Sequence, residues 1–256
     1  MIRCGMRAVE NQEYVSKHLV SGTIVEDIAF KRCYFDNCSA RPVTNPAIRT
    51  HFRRLQFKDC RVWACHLEDV ILEDVTIDGL KTGSGSGKIY PFGLSGCMFT
   101  HVTLRGNVGG IMISDAWSWF DPRPLWRRIL GLGLPPKDHD RLINGTNRAH
   151  YAAIDWALDI SEVRFSSSPT IRGIPARLIR LDPSTQAVVI RSKVCATEST
   201  WRALDIAPWD FWLDECVTGR WADDEIILVA ARRSRSFKQD VVGLQRLREA
   251  GVAEPD

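Results

Sequence analysis

The sequence predicts a mainly β protein: a right-handed quadrilateral β-helix over residues 1–170, with a helical insertion at 117–150, followed by a small α/β cap over 171–256. Three observations predict it. Large apolar residues recur every five positions at Phe57, Val62, Leu67, Leu72 and Ile77. A second series runs two positions earlier, through Leu55, Cys60, Cys65, Val70 and Val75. The same phase returns at Val25, Phe30 and Phe35, at Leu94, Phe99 and Leu104, and at Ile160 and Phe165, with mostly charged and polar residues between.

An α-helix repeats its apolar positions at three and four residues and a half-buried strand at two, so paired series five apart fit neither. They fit a square coil in which each five-residue unit forms one side and the large residue and the residue two before it point inward. Four sides make a turn of about twenty residues, and turns stack at about the 4.8 Å inter-strand spacing. The units Cys65-His66-Leu67-Glu68-Asp69 and Val70-Ile71-Leu72-Glu73-Asp74 resemble the pentapeptide-repeat family. Cys or Val stands where that family commonly has Ala, which implies a less regular coil. The resemblance implies a fold and not a function, because one fold serves many activities. Some relatives imitate duplex DNA toward type II topoisomerases. Imitation needs a long acidic face, and the acids here form short clusters such as Glu68-Asp69 and Glu73-Asp74, so DNA mimicry is not expected.

Lys and Arg number 34 against 31 Asp and Glu, a formal charge of +3 on 256 residues. So weak a field indicates neither a strongly basic nucleic-acid binder nor an acidic mimic, and leaves partner choice to local patches. Met1 to Val20 holds no continuous apolar stretch of the kind a signal or spanning helix needs. A cytoplasmic chain with no transmembrane segment is expected. Of the eight cysteines, Cys33, Cys38, Cys60, Cys65 and Cys97 occupy the small inward position, where a thiol packs as a small hydrophobe. Neither a metal nor a cofactor is expected.

Function in such architectures sits on interruptions. Residues Ala40 to Arg54 carry Pro42, Pro46 and the basic run Arg49-Thr50-His51-Phe52-Arg53-Arg54, readable as a solvated loop or capping turn, or as a contact for an acidic partner. Gly83-Ser84-Gly85-Ser86-Gly87-Lys88 fails as a phosphate loop, since Thr82 replaces the first Gly and Ile89 the Ser or Thr. Gly106-Asn107-Val108-Gly109-Gly110 is not a dinucleotide fingerprint either. The stretch Trp117 to His150 interleaves Trp117, Trp119 and Trp126 with Arg123, Arg127 and Arg128. That mixture suits an amphipathic helix on the flank, a protein-docking surface or a membrane headgroup region.

Beyond Phe165 the period is lost. A short helix is expected over Ile174–Ile179, a strand over Ala187–Arg191, partial helix within Trp201–Trp221 and a strand over Glu225–Ala230. A final helix is punctuated by Ser236 and Gln239 at capping-box spacing and by Gly251. Ahead of it lies Arg232-Arg233-Ser234-Arg235. Cations there oppose the helix dipole, so an anion held at the helix start would relieve them, as would neutralisation by Asp240.

Catalytic motifs such as Gly-x-Ser-x-Gly or His-Glu-x-x-His are not found, so no catalytic residue is assigned and an enzyme is disfavoured without being excluded. The leading expectation is a cytosolic macromolecule-binding scaffold, a protective or immunity factor acting on a protein partner of unknown identity. Its binding residues would be Trp117, Trp119, Trp126, Arg127, Arg128, Arg232, Arg233 and Arg235. The alternative is an enzyme or binder of a small anionic ligand where the insertion meets the C-terminal cap.

Overall fold

The computed structural model describes residues 5–40, 45–83, 91–115, 136–218 and 224–254. The N-terminal strands are β1 (Arg7–Glu10), β2 (Glu13–Val15), β3 (His18–Leu19), β4 (Ile24–Lys31), β5 (Tyr34–Asp36), β6 (Ser39–Ala40) and β7 (His51–Trp63). They continue as β8 (His66–Glu68), β9 (Ile71–Glu73), β10 (Thr76–Thr82), β11 (Phe92–Ser95), β12 (Met98–Thr100), β13 (Val102–Val108) and β14 (Ile111–Ser114). Helix α1 (Pro136–Tyr151) precedes β15 (Leu158–Asp159), β16 (Val163–Phe165), β17 (Thr170–Ile171), β18 (Ile179–Arg180) and β19 (Gln186–Ile190). The C-terminal part holds α2 (Arg191–Ala196), α3 (Glu198–Trp201), α4 (Trp209–Thr218), β20 (Glu225–Val229) and α5 (Phe237–Glu249). No helix among the described residues is long and apolar enough to cross a membrane.

The strands associate as one 12-stranded and one 6-stranded parallel sheet and an antiparallel pair, β19 with β20. The long sheet runs β1-β4-β7-β10-β13-β15-β18 and the second β17-β14-β11-β8-β6-β3. The expectation of a mainly β pentapeptide-repeat solenoid, a regular right-handed quadrilateral β-helix, is corrected here. The chain is α/β, with its parallel strands gathered into two large sheets and five α-helices among the described residues. The spacing between paired strands is also unequal: Arg7 faces Ile28, Ile28 faces Leu55, Phe57 faces Ile77 and Ile77 faces Leu104.

The physical reason is that a five-residue period reports local geometry. It marks which side chains face inward and where the backbone bends, and both are observed: φ is positive at Arg54, Asp59, Ala64, Asp69 and Asp74, and Leu55, Cys60, Cys65, Val70 and Val75 are buried. How strands gather into sheets depends on long-range pairing and on connections of varying length, which the period does not encode.

The inward cysteines pack as small groups and also bond. The Sγ of Cys33, Cys60, Cys65 and Cys97 donates to the carbonyls of Val9, Phe30, Phe35 and Leu67, at 3.5, 3.6, 3.3 and 3.6 Å. Burial pushes the thiols of Cys60 and Cys65 up to about 11 and that of Cys97 to about 12, so they are held protonated and poorly nucleophilic.

The antiparallel pair β19–β20 divides two cores by alternation. Val188, Ile227 and Val229 face the core of the parallel sheets, while Ala187, Val189, Ile226 and Leu228 face a second core with Trp201, Trp209, Leu213, Leu244 and Leu247. Helix α5 approaches Trp209 at Gly243, where a Cβ would meet the indole Cδ1 at 2.7 Å, and the Trp209 Nε1 donates to the Asp240 carbonyl at 2.8 Å. The expected helix over Ile174–Ile179 shrinks to a 3-10 turn, Ala176–Leu178, because Ile179 and Arg180 pair with β15.

The basic run divides: Arg49 and Thr50 are buried, while Arg53 and Arg54 stay partly exposed in ion pairs. Arg53 and Arg54 meet Glu26 at 2.7 and 3.1 Å, and Arg54 meets Asp27 at 2.7 Å. Arg49 is buried against helix α1. Strand β4 thus pairs Arg53 and Arg54, and helix α1 takes up Arg49.

Candidate anion-binding cleft

A cleft of about 490 Å³ opens where the C-terminal halves of β10 and β13, strand β16 and the loop between β20 and α5 meet. Its walls carry Lys81, Thr82, Arg164, Ser166 and Arg233, with Asp59 and Asp78 at one side and the Gly106–Gly109 backbone as floor.

The sequence builds this cleft with glycines. Opposite β10 the register slips, so Asp78 faces Arg105 but Leu80 faces Val108, and β13 carries one extra residue at Gly106-Asn107. Such a bulge re-aims side chains and interrupts pairing. Gly79 and Gly106 adopt φ of +77° and +69°, and at each a Cβ would lie 3.0 Å from an aspartate Oδ1, that of Asp59 or Asp78. At Gly109 a Cβ would lie 2.1 Å from Thr82 Oγ1 and 2.7 Å from the Thr82 nitrogen. The Thr82 hydroxyl accepts from the Gly110 N–H at 2.7 Å, which fixes this close approach.

The cations arrive from two places. Arg164 lies opposite Asn107 in the β13–β16 pair, and Ser166 N–H donates to the Val108 carbonyl at 2.9 Å. Arg233 comes from the C-terminal region, held because its N–H donates to the Phe165 carbonyl at 3.2 Å. Asp78 is engaged by Arg105 at 3.2 Å. Lys81, Arg164 and Arg233 are exposed and make no ion pair among the described residues. The walls therefore carry a surplus of positive charge around a floor of glycine backbone.

Of the residues expected from sequence, Arg233 lines this cleft and Arg235 is exposed nearby in the chain. Trp117, Trp119, Trp126, Arg127 and Arg128 lie outside the described residues. Arg232 is committed elsewhere: its Nη2 donates to Asp182 Oδ2 at 2.8 Å. The same carboxylate accepts from Ser184 N and Oγ at 3.0 and 2.6 Å and from Thr185 Oγ1 at 2.8 Å. Burial alone would raise the Asp182 pKa, but these bonds outweigh it and hold it at about 2. A carboxylate depressed in the folded state stabilises fully above its unfolded value of about 3.9 and loses that contribution as pH falls toward 2. Asp182→Asn is thus expected to cost about 2 kcal/mol in urea unfolding at pH 7 and to flatten the loss of wild-type stability between about pH 4 and 2.

The helix start differs from expectation. Ser236 makes no capping bond to the backbone; its hydroxyl donates to Asp240 Oδ2 at 3.1 Å. Asp240 is 1% exposed, and burial raises its pKa. The first turn of α5 holds its own carboxylate, Asp240, which is the second of the two readings of this helix start.

Lys81 and Arg164 were not singled out by sequence reasoning. The usable signal was glycine within a strand pattern, at Gly79 and Gly106, which marks a bulge or close backbone approach. His150 and Tyr151 pack edge to face at 5.4 Å, with His150 meeting Thr100 Oγ1 at 2.9 Å and Tyr151 accepting from the Phe99 N–H at 3.3 Å, whereas Asp155 turns to His101 at 2.8 Å.

No family model and no curated protein matches the chain, so the pentapeptide-repeat resemblance rests on its residues alone.

Proposed function

We propose that the chain is a binding protein for a small, multiply charged anion of the phosphate class, held in the cleft by Lys81, Arg164 and Arg233. The observation that carries this reading is three cations, without ion-pair partners among the described residues, facing one concavity floored by glycine backbone. Thr82 and Ser166 add hydroxyls, and arginine's planar fork suits phosphate oxygens. The described lining contains neither His nor Cys, and it pairs no base with a nucleophile, which favours binding over catalysis. The sequence expectation of an anionic-ligand binder placed its site where the insertion meets the C-terminal cap; this cleft lies instead beside β10, β13 and β16 and shares only Arg233 with the expected binding residues.

Calorimetric titration with inorganic pyrophosphate at fixed ionic strength tests it. A charge-assisted hydrogen bond contributes about 1.5–3 kcal/mol, so Arg164→Glu and Arg233→Glu are each expected to weaken binding by at least about tenfold. Arg235→Glu, outside the cleft lining, serves as the control for general surface charge. Equal losses at all three positions, or none at Arg164 and Arg233, would contradict the reading.

A further inference from the structure

Among the described residues, the inward side chains of the parallel sheets are sealed at one end and open at the other. Leu94, Phe99 and Leu104 are 3, 1 and 2% exposed. The corresponding apolar residues of the first strands, Tyr14, Leu19, Val25, Phe35, Phe52 and Phe57, pack against the same core yet remain half-exposed. They surround a chamber of about 300 Å³ that runs from Tyr14 and Leu19 inward to Ile77 and Leu80. Its wall is aromatic and ordered: Tyr14 stacks on Phe35 and Phe30 on Phe57, each at 5.1 Å, and Phe30 meets Phe35 edge to face at 5.5 Å.

The lining also includes two cations, Arg7 and Lys17. Both are exposed and neither makes an ion pair among the described residues, whereas Lys31 and Arg32 on the outer surface pair with Glu10. Water in an apolar chamber finds few hydrogen-bond partners, so an apolar occupant is favoured there. A buried hydrocarbon chain with an anionic head satisfies both features.

We propose that this chamber binds a free single-chain fatty acid, its hydrocarbon along the Tyr14, Phe30, Phe35 and Phe57 wall and its carboxylate between Arg7 and Lys17. The proposal rests on residues separate from the phosphate-class cleft and does not depend on it. At about 30 Å³ for a water-sized group, the chamber holds a chain of about ten carbons. A two-chain membrane lipid exceeds that volume.

The test titrates the full chain with hexanoate, octanoate, decanoate and dodecanoate, each below its micellar concentration. Each buried methylene is worth about fourfold in affinity, so each two-carbon step is expected to gain about fifteenfold and to level off near ten carbons. Decylammonium is expected to bind at least tenfold more weakly than decanoate. Arg7→Glu combined with Lys17→Glu changes only exposed side chains, and is expected to weaken decanoate at least tenfold while pyrophosphate binding is unchanged. Absence of decanoate binding, equal affinity for decylammonium, or indifference to the double charge reversal overturns the proposal. A stable dimer that binds none of the acids also overturns it, because a second copy then covers the mouth.

Discussion

Arg49→Ala is expected to lower the folding free energy by about 3–5 kcal/mol, the largest loss of any substitution considered, because it removes a buried charge from a site built around it. Arg49 is 1% exposed. Its Nη1 donates to Asn147 Oδ1 at 2.8 Å and to the Gly96 carbonyl at 3.5 Å, and its Nη2 to the Ile143 carbonyl at 3.5 Å. Asn147 completes the junction by donating to the same Gly96 carbonyl at 3.2 Å. One guanidinium thereby joins helix α1 to the loop between β11 and β12. Burial lowers the Arg49 pKa, and the buried Asp69 counters it by favouring the charged form. Truncation strips Asn147 Oδ1 and the Gly96 and Ile143 carbonyls of their charged donor at a buried site. Against a typical domain stability of about 5–15 kcal/mol, the variant should show a clearly lower urea midpoint with little change in slope. A midpoint within experimental scatter of wild type would show that α1 is held by other contacts.

Gly109→Ala is expected to cost about 3 kcal/mol, the upper end for overpacking, since the new methyl meets the Thr82 backbone nitrogen at 2.7 Å as well as its hydroxyl at 2.1 Å. A hydroxyl can rotate away; a backbone nitrogen moves only with its strand. The displacement falls on the floor of the cleft, so pyrophosphate affinity should fall together with stability. Gly145→Ala supplies the contrast. Gly145 lies inside α1, a Cβ added there would meet nothing within 4 Å, and alanine should stabilise the helix by up to about 1 kcal/mol. Thermal melts of the two variants therefore move in opposite directions.

Much of the local structure was legible in the sequence. The apolar series found its inward positions because side-chain burial follows the backbone bends, which recur at Arg54, Asp59, Ala64, Asp69 and Asp74. Strand β20 was legible from a short apolar run, and the bounds of helix α5 from Ser236 before it and Gly251 after it. The class was not. Gathering into sheets of 12 and 6 strands is decided by pairings such as Val102 with Leu158, across a long intervening stretch of chain, and no local period reports those.

The cleft was legible in one of its three cations. Arg233 drew notice as part of a basic run, but that run divides in space: Arg232 turns to Asp182 while Arg233 turns to Arg164 and Lys81. Lys81 and Arg164 are ordinary surface cations in sequence and acquire meaning only when β10 and β16 flank the bulged β13. Arg49 misled for the opposite reason. Its neighbours Arg53 and Arg54 suggested a solvated patch, whereas its guanidinium finds Asn147 far along the chain.

The central claim is that an anion of the phosphate class occupies the cleft, and backbone amide NMR of the full chain during pyrophosphate titration tests it most directly. Saturable shifts concentrated on Gly106 to Gly109, Ser166 and Arg233 are the expected result. Shifts confined to other residues, or no saturable shift at all, would contradict it.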